Sequence, residues 1–257
     1  MKHIVKRMFH SVGLEVHRAN APSDFTMPVE FSKREVQIFE YIWKNGLIMG
    51  TPQGLAAVIM ACKYVIQAGI PGDFVECGVW RGGLSLAAQL VFEHYKSDKR
   101  VWLFDTFAGM PEPSEFDRPK FELFDAREVF DEAQREGFNE WCYASLEDVR
   151  RNFERAGANL EHTRFIKGDV RETLGYEANL PERISVLRLD TDWYESTKVQ
   201  LEVLYPRLSR GGSLLIDDFG YWEGVRKAVE EYFATQPKAA MPLLYYTDLS
   251  GRMGVKI

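Results

Sequence analysis

Cysteine is scarce in this chain: Cys62, Cys77 and Cys142 are the only three among 257 residues. No two of them make a Cys-x-x-Cys pair, and an odd number closes no disulfide framework. A cysteine-built metal knuckle and a disulfide-stapled scaffold are therefore excluded. Cys77 stands inside an apolar run and reads as a small core filler, which fits a reducing, cytoplasmic setting. Histidine is scarce too. His3, His10, His17, His94 and His162 stand at no metal-binding spacing from one another or from cysteine and read as surface or packing residues.

Long apolar runs are also missing. The longest, Leu55–Ile66, is broken by Lys63, so no transmembrane segment is expected. Positive charge is not in excess: 32 Lys and Arg face 38 Asp and Glu, for a net charge of −6. Nucleic acid is not an expected partner, because its phosphates need a basic face. Internal repeats and low-complexity segments are absent. The first residues, Met1 to Phe9, alternate basic and apolar without the continuous apolar segment of a signal peptide. They read as a surface helix, with a membrane-surface helix as the alternative.

What is present is a 46% hydrophobic chain, enough to bury one core, and residues 1–257 are read as a single domain. Residues 1–50 are read as a helical arm, with Val36, Phe39 and Trp43 at helical spacing over Lys33–Lys44. A second helix begins at Thr51, a good N-cap, with Pro52 in its first position, and stops at Gly69. From Asp73 short apolar runs alternate with helical segments. The runs are Phe74–Cys77, Val101–Asp105, Arg164–Lys167, Ile184–Asp190 and Ser213–Asp218. Helices fit Gly83–Tyr95, Ser145–Ala156, Tyr194–Leu208 and Gly224–Phe233. The fold class is α/β: a mostly parallel sheet with helices on both faces. Leu243–Tyr246 and Met253–Ile257 read as a terminal hairpin around Ser250-Gly251. Residues 111–144, rich in Pro, Phe and acids, interrupt the alternation after a strand's carboxyl end, where ligands sit in such sheets. A lid-like insertion is expected there.

Two groups of residues carry chemistry. In Asp73-Phe-Val-Glu-Cys-Gly-Val-Trp-Arg-Gly-Gly, a strand ends at Glu76, and Gly78, Gly82 and Gly83 let the chain turn close to a ligand. This is not the dinucleotide fingerprint, since Trp80 occupies the middle glycine position. A small zwitterion fits better, its ammonium on Glu76 and its carboxylate on helix amides; a purely structural turn is the alternative. Asp105, one helix and one strand later, is placed to bind ribose hydroxyls. Asp169, after the next strand, could meet an adenine amino group or simply cap a helix. The second group is sharper. Asp190 and Asp192 end one strand, and Asp217 and Asp218 end the next. In a parallel sheet these ends share one edge, and four carboxylates there repel one another. A hard divalent cation resolves the conflict, and oxygen-only ligands suit Mg²⁺, Mn²⁺ or Ca²⁺. Solvated strand-end acids are the alternative.

The stretches Val75-Glu-Cys-Gly-Val-Trp-Arg-Gly-Gly, Leu103-Phe-Asp-Thr-Phe-Ala-Gly-Met-Pro, Leu187-Arg-Leu-Asp-Thr-Asp-Trp-Tyr-Glu-Ser-Thr and Gly211-Gly-Ser-Leu-Leu-Ile-Asp-Asp-Phe resemble the macrocin O-methyltransferase family. The resemblance runs from about Thr51 to Phe233. It implies a class I methyltransferase fold, a seven-stranded sheet with an antiparallel C-terminal hairpin strand. It also implies an S-adenosyl-L-methionine donor, a Mg²⁺ (or Mn²⁺) site and a sugar hydroxyl as acceptor. Carried over by position, Asp190, Asp217 and Asp218 are metal ligands and Asp192 is the general base. Thr51, Glu76, Gly78, Ser85, Asp105 and Asp169 belong to the donor site. The implied acceptor is a small molecule or glycan with vicinal hydroxyls. Residues 1–30 and 111–144 match no acceptor pattern, and a homo-oligomer is left open. Two other functions compete: a glycosyltransferase holding its metal on Asp190-Thr-Asp192, which leaves Glu76, Gly78 and Asp105 without roles, and a non-catalytic nucleoside-binding domain. Trp193 and Trp222, which follow the carboxylate strands, read either as walls of an acceptor pocket or as core.

Overall fold

The computed structural model describes residues 25–120, 124–237 and 240–257. The basic segment at Met1–Phe9 lies outside these residues. Helix α1 (Lys33–Lys44) opens with a capping box, Ser32 and Glu35 each bonding the other's backbone N–H. Helix α2 (Pro52–Gln67) is capped by Thr51, whose hydroxyl accepts from Gly54 N. Strand β1 (Asp73–Cys77) leads into α3 (Gly83–His94), and β2 (Val101–Asp105) follows. Within residues 111–144 stand α4 (Ala126–Glu132) and a two-residue hairpin, β3 (Gln134–Arg135) with β4 (Phe138–Asn139). Then come α5 (Leu146–Arg155), β5 (Thr163–Lys167), α6 (Val170–Thr173), β6 (Ile184–Leu189), α7 (Tyr194–Leu204), β7 (Leu208–Ile216) and α8 (Glu223–Ala234). The chain closes on β8 (Tyr245–Tyr246) and β9 (Arg252–Val255).

The main sheet has seven strands in the order β5-β2-β1-β6-β7-β9-β8. Its first five are parallel neighbours, and β9 runs antiparallel to both β7 and β8. Successive side chains leave a strand on opposite faces. Phe74, Leu103 and Val186 therefore join a core under α1, α2, α3 and α5. Val75, Trp102, Phe104 and Leu187 join the core under α4, α7 and α8. Among the described residues, no helix is long and apolar enough to cross a membrane.

The strand order reverses between β1 and β6, so the carboxyl ends of β1, β2, β6 and β7 meet at one edge. Ligands bind at such a switch point in open α/β sheets.

The candidate active site

The register of β1 on β6 sets Glu76 directly opposite Arg188. Arg188 Nη1 donates to Glu76 Oε1 at 2.8 Å and to Asp190, and Nη2 reaches Asp217 at 3.1 Å. Ser85, on the first turn of α3, donates to the other Glu76 oxygen. Both oxygens of Glu76 are thus engaged, and the residue is buried. Burial pushes its carboxyl up, and Arg188 and Ser85 pull it back. A buried charge is tolerated only with such partners.

Gly78 sits at φ 81°, and a Cβ there would lie 1.8 Å from the carbonyl oxygen of Asp190. This glycine lets the donor-side turn press against the acid-bearing loop. Asp105 Oδ2 accepts from the backbone N–H of Val79 (2.7 Å) and Trp80 (3.2 Å), and Oδ1 accepts from Phe107 N at 2.7 Å. Burial raises its carboxyl, against those three backbone bonds. Thr51 donates to Asp248, whose other oxygen accepts from Gly251 N at 2.7 Å. The first turn of α2 is thereby tied to the terminal hairpin. Asp169 caps α6 through Arg171 N at 2.8 Å and pairs with the Arg171 guanidinium.

The carboxylates of Asp190, Asp192, Asp217 and Asp218 converge beyond β6 and β7. One oxygen each from Asp190, Asp192 and Asp218 lie within 4.8 Å of one another. Asp192 and Asp218 share a carboxyl–carboxyl hydrogen bond, as do Asp190 and Asp217. Burial raises Asp190 and Asp218 well above the ordinary range, with neighbouring acids adding to it and Arg188 opposing it. Burial also pushes Asp192 up to about 7, against its hydrogen bond with Asp218. The grouping differs from the sequence-based ligand set in one member: Asp192 lies in the tight trio, while Asp217 reaches toward Arg188. Such an oxygen-only donor set fits a hard divalent cation.

Backbone strain marks the same edge. Among the described residues, the non-glycine positions with positive φ are Trp80, Lys96, Phe107, Cys142, Asp192 and Asp218. All but Lys96 stand at this edge of the sheet. Strained conformations cluster where function over-determines them. Trp80 and Phe107 donate their backbone N–H groups to Asp105, and sequence reasoning singled out neither Phe107 nor Cys142. Burial raises the Cys142 thiol, and the charges of Asp192, Asp190, Asp218 and Asp105 raise it further. Arg188 was legible in principle, as a cation flanked by leucines inside the apolar run Ile184–Asp190. Trp193 and Trp222 are buried and pack edge-to-face at 4.9 Å in the core, and Trp222 also borders the cavity beside the Asp218 turn.

A sequence profile described as Macrocin-O-methyltransferase (TylF) matches residues 5–245. A tetracenomycin rhamnosyl 4'-O-methyltransferase from Streptomyces olivaceus is 41% identical over 170 residues, which cover 65% of this chain and 60% of that protein. The mycinamicin III 3''-O-methyltransferase of Micromonospora griseorubida is 37% identical over 65% of this chain and 62% of its own length. The matched stretch thus spans about three fifths of these relatives. The solved structure of the O-methyltransferase NovP superposes with a TM-score of 0.71 at 28% identity, covering 99% of this chain and 97% of that one. The calicheamicin methyltransferase CalS11, at 17% identity and a TM-score of 0.60, shares the fold over 92% of this chain and 99% of its own. On the span and order of the matched residues, the chain belongs to the macrocin O-methyltransferase (TylF) family.

Proposed function

We propose that this protein transfers a methyl group from S-adenosylmethionine to a hydroxyl of a sugar, assisted by a divalent cation. The observation that carries this reading is the convergence of four carboxylates on a switch-point edge whose other side is a glycine turn. Family membership supports the O-methyltransferase reaction, and the relatives' names, a rhamnosyl 4'-O- and a mycinamicin 3''-O-methyltransferase, support a sugar acceptor. Free thiols at Cys62, Cys77 and Cys142 suit a reducing cytoplasm.

The donor's sulfonium is already activated, so the work of this chain falls on the acceptor hydroxyl. Asp105 holds the ribose, and the amides at the start of α3 face the methionine carboxylate. Glu76 supports this turn through its bonds to Ser85 and Arg188. Asp190, Asp217 and Asp218 hold the cation, which when bound supplies Lewis acidity toward vicinal hydroxyls. Asp192, two residues from Asp190 and beside Asp218, is placed to accept the proton of the acceptor hydroxyl. A second division of labour is favoured by the tight trio, with Asp192 as a ligand and Asp217 left on Arg188. Beside the Asp218 turn, a cavity of about 400 Å³ lined by Lys120, Phe219, Tyr221 and Arg226 offers room for an acceptor.

The test is a methyl-transfer assay on glycosides and nucleotide sugars bearing vicinal hydroxyls, with and without chelator. Turnover that needs added Mg²⁺ or Mn²⁺ is expected. Turnover that survives exhaustive chelation contradicts the cation's role.

A further inference from the structure

Asp117 lies in the 111–144 insertion and touches none of the site carboxylates, yet it is 2% exposed. Its Oδ2 accepts from Ser114 N and Ser114 Oγ, both at 2.7 Å. Its Oδ1 accepts from Tyr194 N at 2.7 Å, the first backbone amide of α7. Helix α7 has no side-chain cap of its own, and neither does α8. At the start of α8, Gly224 packs so closely that a Cβ would fall 2.3 Å from Asp117 Oδ1 and 3.1 Å from Tyr194 N. One carboxylate from the insertion therefore sits where the first turns of both helices meet.

The neighbouring backbone follows it. Trp193 Nε1 donates to Pro111 O at 2.9 Å. Lys120 N donates to Tyr221 O at 2.8 Å, and Glu223 N donates to Arg118 O at 3.0 Å. Pro119 bridges Trp222, and Phe116 packs on Tyr194 at 4.8 Å. Residues 111–120 form a strap across both helix starts. The turns they pin are the strained ones: Asp192, at φ 63°, comes just before Trp193 and Tyr194, and Asp218, at φ 53°, comes just before Tyr221 and Trp222. Left-handed non-glycine residues persist only where their surroundings impose them.

We propose that Asp117 is a positioning residue: it fastens the strap to α7 and α8 and so holds the Asp190–Asp192 and Asp217–Asp218 turns in the geometry that brings their carboxylates together. The proposal about the turns stands on these hydrogen bonds and backbone angles; its consequence for cation binding rests on the function proposed above.

Hydrogen exchange read by mass spectrometry on the full chain, without metal, tests the first part. Asp117→Ala is expected to speed exchange by about tenfold or more in peptides spanning 190–197 and 217–225. Exchange around 101–107 should be unchanged. Asp117→Asn, which keeps an acceptor for Tyr194 N–H, should show a smaller effect. Gly224→Ala removes no charge and places a favourable helix former in α8. Its Cβ must displace Asp117 or the start of α7, so it should loosen the same two segments. This variant keeps the test open if Asp117→Ala fails to fold. Unaltered exchange at both segments in folded Asp117→Ala or Gly224→Ala overturns the proposal.

Titration with Mn²⁺ alone reads the consequence. Affinity is expected to fall about 10- to 100-fold in Asp117→Ala, as for other supports of metal ligands, with S-adenosylhomocysteine affinity within twofold of the parent. If the parent itself binds no Mn²⁺, the functional reading fails, and the exchange result still decides the positioning role.

Discussion

At the scale of the residue, the site is a balance between like charges and one buried cation. Arg188 meets Glu76, Asp190 and Asp217 at once, which lets two of the four edge acids stay near each other. Asp192 stands on the far side of the cluster, bonded to Asp218. Replacing it with Asn keeps its size and removes its basicity. The expected outcome is a fall of roughly 10²–10⁴ in the single-turnover methyl-transfer rate, with cation affinity near the parent's. A collapse of Mn²⁺ affinity instead makes Asp192 a ligand. A second prediction concerns Glu35, buried at the start of α1. Burial pushes its carboxyl up, but hydrogen bonds from Ser32 N, Lys63, the Ser32 hydroxyl and Tyr95 together hold it below its ordinary value. A lowered folded value contributes stability at pH above the unfolded carboxyl's value and loses it as pH falls through the folded one. Glu35→Gln should therefore cost stability near pH 7, with the difference from the parent shrinking toward pH 3, measured by urea unfolding across that range. An equal loss at both ends would contradict the assignment.

Between strands and helices, the site depends on a few close approaches. Gly78 is the tightest: its positive φ and missing side chain let the end of β1 lie against Asp190. Gly78→Ala combines a left-handed alanine with a backbone clash, and a destabilisation of roughly 2–5 kcal/mol is expected from denaturant unfolding. A loss below about 0.5 kcal/mol, the range of neutral surface changes, would contradict this account of the turn. Most elements were legible in the sequence. Lys33–Lys44 and the Thr51 cap stand where the periodicity and cap chemistry put them. Boundaries moved where the last turn tightened: the helix expected over Tyr194–Leu208 stops at Leu204 and continues as a 3-10 turn over Tyr205–Arg207. Strand β7 begins at Leu208 rather than Ser213, because a glycine-rich segment carries no apolar alternation to read.

Across the whole molecule, the order of strands does what no single motif can: it brings Gly78, Asp105, Asp190 and Asp218 from separate segments to one edge. The carboxylate edge was readable because two strands each end in paired acids. The partners of those acids were not. The link from Glu76 to Arg188 depends on register, and Asp117 acts from an insertion with no periodic signal. Asp169 could be read two ways, and in the structure it caps a helix and pairs with Arg171 while its side chain stays partly exposed. Thr51 likewise caps α2 and bonds Asp248.

The central claim is that a methyl donor and a divalent cation share this edge. Calorimetric titration of the intact chain with S-adenosylhomocysteine, then with Mn²⁺, and in parallel with nucleotide diphosphates, tests it most directly. The account predicts one S-adenosylhomocysteine site per chain that Asp105→Ala weakens, and a cation site that Asp218→Asn abolishes while the donor still binds. Binding of nucleotide diphosphates with Mn²⁺, and none of S-adenosylhomocysteine, would contradict it.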